Sequence, residues 1–147
     1  MSLIERLNQD MKTAMKNKEK TTLSVIRMVR SSIKNKEIEL QHSLTEEEAL
    51  DVVAKELKQQ RDSLREFEQV GREDLAQKAR DEIAVLERYM PEQLTDAELK
   101  KIVQETIAST GAASKADMGK VMKAVMPRVK GRADGKRVNR LVQEGLQ

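Results

Sequence analysis

The chain has 147 residues and a formal net charge of +3, and 36% of its residues are charged. One Phe, one Tyr, six Gly and two Pro are too few aromatic and turn-forming residues for a β-sandwich, so the composition favours surface-rich helices. Because there is no cysteine and only one histidine, the composition also excludes disulfides, Cys/His zinc clusters and thiol catalysis.

The first two predicted helices lie near the amino terminus. Ser2 followed by Glu5 has the spacing of a capping box, and the apolar residues after it, as far as Met15, recur at helical spacing. After a polar turn, a second apolar series predicts a helix that runs to about His42. No secretory signal is recognisable, and no apolar run is long enough to cross a membrane. We therefore expect a soluble, cytoplasmic protein.

Two longer helices are predicted next. Thr45, with Glu48 three residues later, repeats the capping box and starts the third helix. Gly71 ends that helix, and the fourth is expected to end at Pro91. Since the turn between these amphipathic helices is short, they should pack as an antiparallel hairpin. Arg61 interrupts the apolar stripe, and we expect it to lie at the edge of the hairpin with its charge in water.

The helical periodicity is interrupted near residue 91, where a second unit is predicted to begin. Thr95 with Glu98 marks the start of a fifth helix. The small residues at 109–114 predict a loop, and Ser114 with Asp117 predicts another capping box before helix six. Helix seven follows a turn between two glycines.

Helix six carries Met118, Met122 and Met126, spaced four residues apart. Thioethers at this spacing usually fill an irregular core, and a methionine-lined docking groove is the alternative. Taken together, the seven helices predict an all-α fold in two parts. An N-terminal helical bundle with a long hairpin is expected at residues 1–93, and a small three-helix tail domain at residues 94–147.

Charge is distributed unevenly along the chain. Residues 1–44 have nine Lys and Arg against five Asp and Glu, which gives +4, and residues 95–147 have eleven against six, which gives +5. Residues 45–94 between them have eight against fourteen, which gives −6. A basic tail beside an acidic middle predicts that one end of the protein meets a polyanion.

No set of residues suited to catalysis or to metal binding is recognisable. His42 stands in a polar turn without an adjacent nucleophile, and we expect it to be solvated. Gly119-Lys120 and Gly135-Lys136 invite comparison with a phosphate-binding loop, but neither has the second glycine or the following Ser or Thr. The 25 carboxylates mostly have helical spacings that pair them with Lys or Arg. We therefore predict no catalytic residue, no metal and no cofactor.

A run of cations remains near the carboxyl end. The turn at 130–136 sets cations beside glycines that allow close backbone approach, and it leads into a helix start whose amides favour phosphate. Without an aromatic residue in the tail, base stacking is excluded, so backbone recognition of a folded RNA is the compatible mode. A merely solvated basic face is equally consistent with the sequence. The nine cations are Lys115, Lys120, Lys123, Arg128, Lys130, Arg132, Lys136, Arg137 and Arg140.

Several stretches of the sequence carry a resemblance to a known family. Met118-Gly-Lys-Val-Met-Lys123, followed by Lys130-Gly-Arg-Ala-Asp-Gly-Lys-Arg-Val-Asn-Arg-Leu-Val142, resembles the tail signature of the YqeY family. Gly71-Arg-Glu-Asp-Leu75 and Leu86-Glu-Arg-Tyr-Met-Pro-Glu-Gln-Leu94 are similar to the middle of that family. The resemblance covers essentially the whole chain.

The resemblance implies a link to tRNA. The tail half of the family is similar to the C-terminal domain of one subunit of the glutamine-dependent Asp-tRNA/Glu-tRNA amidotransferase, whose helical tail helps to hold the tRNA while other domains transfer the amide. It thereby implies kinship with carbon-nitrogen ligases that use glutamine as amide donor, although the parts that perform that chemistry are not recognisable in this sequence. The motif positions that it places towards RNA are Lys120, Lys123, Lys130, Gly131, Arg132, Lys136 and Asn139. The candidate RNA-binding set also includes Arg137 and Arg140 of the same tail.

Three functions are therefore considered. The first is a non-catalytic protein that binds tRNA or another structured RNA through its backbone, or that assists a tRNA-charging or amidotransferase enzyme, without a membrane partner. The second is a protein-interaction adaptor, in which the acidic hairpin at 45–94 docks on a partner and the basic tail is only solvated surface. The third, implied by the resemblance alone, is an amidotransferase-type enzyme.

Overall fold

A computed structural model describes residues 1–146 of the chain. These residues form seven α-helices and a short 3-10 helix at Lys115–Asp117, with no β-strand among them, so the all-α prediction is confirmed. The chain divides into two compact units, one at Met1–Met90 and one from Pro91 on. The α-helices are α1 (Leu3–Lys16), α2 (Lys20–Leu40), α3 (Glu46–Gln69), α4 (Glu73–Glu87), α5 (Asp96–Thr110), α6 (Met118–Val129) and α7 (Gly135–Gly145).

Side-chain caps fix the starts of α1 and α3. The Ser2 hydroxyl accepts the backbone N–H of Glu5 at 3.1 Å, and the Glu5 carboxylate accepts the N–H of Ser2 at 3.2 Å. Thr45 and Glu48 form the same reciprocal pair at 3.1 and 2.9 Å. The predicted capping boxes at these two helix starts are confirmed. The Thr45 backbone N–H is also the main reason why the pKa of the Glu48 carboxyl lies below its usual value.

The hairpin of α3 and α4 dominates the N-terminal unit. Gln60 donates to Glu82 at 2.5 Å and Arg80 lies 3.3 Å from Glu68, so the two helices run antiparallel, as predicted. Arg61 lies at the edge, where it is 41% exposed and pairs with Glu87 at 3.1 Å. The core beneath the hairpin joins all four helices through one cluster: Leu3, Leu7, Val25, Ile26, Val29, Ile33, Leu44, Ala49, Val53, Leu57, Ile83, Val85, Leu86 and Tyr89.

The end of α4 differs from the prediction, since the helix stops at Glu87 and not at Pro91. Tyr89, only 3% exposed, is part of the core, and its hydroxyl donates to Asp10 of α1 at 2.5 Å. Arg6 lies over the tyrosine ring, 5.1 Å from its centroid, and donates to the backbone oxygen of Arg88 at 2.9 Å. These contacts hold the residues after α4 against α1.

The three helices of the C-terminal unit surround a core rich in valine. Gly131 has a φ of +76°, a conformation that glycine adopts with little steric cost, in the turn between α6 and α7. The Leu94 backbone N–H donates to the Arg132 oxygen at 2.8 Å and ties the start of the unit to this turn. The core residues are Leu94, Leu99, Val103, Val121, Val125, Val129, Val138, Val142 and Leu146.

The connection between α5 and α6 corrects two predictions. The expected loop at 109–114 begins two residues later, because α5 runs to Thr110, whose hydroxyl donates to the Thr106 oxygen at 2.9 Å. Ser114 and Asp117 do not form a capping box. Ser114 accepts the N–H of Ala116 at 3.3 Å and starts the 3-10 helix. None of the helices described in residues 1–146 combines the length and apolar character needed to cross a membrane.

Candidate nucleic-acid interface

Lys120 and Lys123 lie on the exposed face of α6. Three fully buried residues orient this helix: Val121, Val125 and Val129. Since an α-helix has 3.6 residues per turn, the two lysines lie together on the face opposite those valines. Asp117 lies near Lys120, but its Oδ2 atom accepts the backbone N–H of Ala113 at 2.9 Å. The structure therefore brings this pair of predicted site residues together on one face.

The three methionines of α6 flank the same core. Met118, Met122 and Met126 are partly buried and pack against the valine cluster. The prediction that they fill the core is thus confirmed in part, because the fully buried positions of the helix belong to valines.

In the turn after α6, two of the predicted site residues, Gly131 and Arg132, are bound to other residues of the unit. Gly131 accepts at its backbone oxygen from the Gln93 side-chain amide at 2.9 Å. Arg132 is half-buried, and its Nε atom donates to the Glu92 backbone oxygen at 3.3 Å. Lys130, between α6 and this glycine, has an exposed side chain. Gly131 and Arg132 therefore bind the segment that precedes α5, through Gln93 and Glu92.

Arg137 is bound internally as well. Its Nη2 atom donates to the backbone oxygen of Leu94 at 2.6 Å. Its Nε atom lies 2.8 Å from Oδ1 of Asp96, in a geometry that gives an ion pair and not an aligned hydrogen bond. Arg128 of the basic run also has protein partners, since it contacts Glu105 at 3.1 Å and the Thr106 hydroxyl at 2.9 Å, but its side chain stays 43% exposed.

The outward face of α7 carries Lys136, Asn139 and Arg140, which are all exposed. Val138 and Val142 are fully buried on the inner face. The helix start differs from the expectation of free amides, because the carboxylate of Asp134 accepts the N–H of Lys136 at 3.1 Å. The carboxylate of Asp134 thus already satisfies one of the first amides, and the exposed side chains of the helix are available to a phosphate.

Replacing Arg137 by Ala should lower the free energy of unfolding by about 1–3 kcal/mol, because the Leu94 oxygen and the Asp96 carboxylate would lose their partner. Urea denaturation measures the change. Arg140→Ala removes an equal charge from an exposed position of the same helix and should shift stability by about 0.5 kcal/mol or less. Equal effects of the two variants would contradict the internal role of Arg137.

Sequence reasoning missed three exposed cations of the N-terminal unit, namely Arg27, Arg30 and Lys34 on α2. Their spacing by three and four residues and the +4 charge of residues 1–44 were the available signals. His42 is exposed, as predicted, with Nε2 3.6 Å from Glu48. Within residues 1–146, no group of three or more His, Asp or Glu side chains is placed to hold a metal ion.

Comparison with known proteins connects this architecture to a family. The family model described as "Yqey-like protein" matches residues 4–146. Altered inheritance of mitochondria protein 41, mitochondrial, of Pyrenophora tritici-repentis is 31% identical over 97% of this chain and 80% of its own length. The proteins of the same name in Kluyveromyces lactis and Saccharomyces cerevisiae are 45% and 35% identical. Those matches cover 58% and 65% of this chain, and 47% and 52% of the relatives.

The names of these relatives correct the predicted location. All three are called mitochondrial, so the cytoplasmic prediction is wrong. It rested on the lack of a recognisable secretory signal and membrane span, and neither observation separates the cytoplasm from the mitochondrion. Neither the family description nor the three names states a catalytic activity. Since the family model covers nearly the whole chain, the protein belongs to the Yqey-like protein family.

Proposed function

We propose that this chain is a non-catalytic protein that binds tRNA or another structured RNA through backbone phosphates. The observation that carries the proposal is that some cations of the C-terminal unit bind other residues of the unit, whereas others face solvent. Arg128, Arg132 and Arg137 are held by contacts with other residues of the unit. The exposed cations on the outward faces of α6 and α7 are Lys120, Lys123, Lys136 and Arg140.

The chemistry of these faces suits a phosphate backbone. Residues 95–147 have eleven Lys and Arg against six Asp and Glu, and they contain no aromatic residue. Without an aromatic side chain, bases cannot stack on this unit as they do on single-strand-binding proteins. Lysines at one-turn spacing instead meet successive phosphates, and each phosphate contact releases counterions from the nucleic acid.

Two double variants test the proposal: Lys120→Ala with Lys123→Ala, and Lys136→Ala with Arg140→Ala. Each should reduce the salt dependence of tRNA binding, measured as log K against log salt, by about 1 to 2 units of slope. Combining the two should raise the Kd at 0.15 M salt by about tenfold or more, since about four phosphate contacts are lost.

The matched control is Lys58→Ala with Lys78→Ala, which removes two exposed lysines from the acidic hairpin. This control should bind as the unaltered protein does. The proposal fails if the unaltered protein binds tRNA no better than a neutral protein at low salt, or if the control weakens binding as much as the tail variants.

A protein-interaction adaptor is the second candidate, and the shape of the hairpin favours it. The buried residues of α3 stop at Leu57, although the helix continues to Gln69. Val70 at the tip is 71% exposed, and Phe67 beside it is half-buried. Arg80 pairs with Glu68 and Glu73 near this end. A partner that is recovered with the protein and survives nuclease treatment would favour this function over RNA binding.

A further inference from the structure

A groove of about 560 Å³ lies between α1 and α2 in the N-terminal unit. One wall comes from α1 and the other from the cationic side of α2. Neither the sequence motifs nor the family comparison assigns a role to this groove. The lining residues used below are Ile4, Asn8, Arg27, Arg30, Ser31 and Lys34.

The packing of α2 aims its cations into this groove. Ile26, Val29 and Ile33 hold the adjacent side of the helix in the core, with exposures of 0%, 0% and 6%. Arg27, Arg30 and Lys34 are consequently exposed along one flank, at spacings of three and four residues. They extend over about 10 Å of the helix axis, which is long enough to meet more than one backbone phosphate.

Three cations and one acid, Glu37, line the groove, so its lining keeps a net positive charge. Across residues 1–146, none of the three lies within ion-pair distance of a carboxylate. Arg30 places Nη1 2.9 Å from the sulfur of Met11, which carries no charge to offset that of the guanidinium. Glu37, the acid that also lines the groove, accepts the backbone N–H of Leu44 at 3.1 Å.

The remaining lining indicates the class of ligand. Asn8 and Ser31 add an amide and a hydroxyl that can donate beside the three cations. Of the apolar lining, Leu7 and Ile33 are only 1% and 6% exposed and Ile4 is partly buried, so the apolar floor offers little contact area. A docking helix would need a larger apolar surface. A ligand rich in acceptors and negative charge therefore fits better than an amphipathic protein segment.

We propose that this groove is a second binding surface for the phosphate backbone of a structured RNA, separate from the faces of α6 and α7. The proposal rests on the proposed function, and it adds a contact site in the unit that the tail motifs leave out. An acidic protein segment is the competing occupant, and the experiment distinguishes the two.

The test compares two triple variants of the full chain. Arg27→Ala, Arg30→Ala and Lys34→Ala together remove the groove cations. Lys12→Ala, Lys16→Ala and Lys20→Ala together remove three exposed cations of the same unit that do not line the groove, with the same change in net charge. We expect the groove variant to lose about 2 to 3 units of the salt slope for tRNA and to raise the Kd about tenfold or more at 0.15 M salt. The control should change the Kd by about threefold or less, through the long-range field alone.

Milder variants keep the test valid if the triple variant does not fold. Lys34→Ala alone changes one exposed side chain and should lower the slope by about 1. Arg27→Lys with Arg30→Lys keeps the charges and should retain most of the affinity, since phosphates accept from either side chain. Circular dichroism confirms that each variant keeps its helical content.

The outcomes separate the groove from the tail. If the groove variant binds like its control while the Lys120→Ala and Lys123→Ala variant weakens, the groove proposal is overturned and the proposed function stands. If the unaltered protein shows no salt-dependent binding of tRNA, both the groove proposal and the proposed function are wrong. If the groove variant keeps its affinity for tRNA but loses an acidic protein that the unaltered chain retains after nuclease treatment, the occupant is that protein and not RNA.

Discussion

Replacing Leu99 by Ala is expected to lower the free energy of unfolding of the C-terminal unit by about 2–5 kcal/mol. Leu99 is fully buried, and it belongs to the first turn of α5, which Thr95 caps by accepting the N–H of Glu98 at 3.2 Å. Most of the surrounding core residues are valines, whose single preferred rotamers leave them little freedom to fill a cavity. The loss should therefore lie towards the upper part of that range.

Hydrogen exchange of the α5–α7 amides measures this change in the unit concerned. Gln104→Ala, at an exposed position of the same helix, is the matched control and should alter stability by about 0.5 kcal/mol or less. A fall in protection smaller than about 1 kcal/mol for Leu99→Ala would contradict the central place of this side chain.

Replacing Tyr89 by Ala should destabilise the N-terminal unit by about 3–5 kcal/mol, the usual range for a large buried aromatic side chain. The ring is 3% exposed in the core, Arg6 lies over it, and its hydroxyl donates to Asp10. Tyr89→Phe keeps the ring and loses only the hydroxyl, so it should cost about 1–2 kcal/mol. Urea denaturation of the two variants separates packing from hydrogen bonding. Equal losses would show that the ring contributes little.

The same tyrosine predicts a dependence on alkaline pH. Burial, followed by the hydrogen bond to Asp10 and its negative charge, raises the pKa of the Tyr89 hydroxyl above its ordinary value of 10.0. Because the folded pKa is the higher one, the contribution to stability is fully present below pH 10.0 and is lost as the pH rises above it. The difference in stability between the unaltered protein and Tyr89→Phe should therefore shrink above that pH. A difference that stays constant up to the alkaline limit of folding would contradict this interpretation.

Much of the helical architecture could be predicted because its determinants are close together in the chain. The capping boxes of Ser2 and Thr45 join residues three positions apart, and the apolar stripes repeat within one helical turn. The end of α4 could not be predicted in this way. The residues that follow it are held by a contact between Tyr89 and Asp10, which are 79 positions apart.

The candidate site, too, could be predicted from the sequence only in part. In the sequence, Arg132, Arg137 and Lys123 are equivalent cations of one basic run. Only the fold shows that Arg132 and Arg137 bind partners 40 and 43 positions away, whereas Lys123 faces solvent. The groove cations were overlooked because a spacing of three and four residues on a helix does not reveal whether a second wall faces it.

The amino-acid sequence alone determined the all-α class, the main helix starts and the strongly basic character of the tail, since propensity, capping and net charge are properties of short segments. The tertiary structure decided which of those cations can meet a ligand. That choice depends on whether a carbonyl or a carboxylate from a distant segment comes within hydrogen-bonding distance of the side chain, and only the packing of the helices sets that distance.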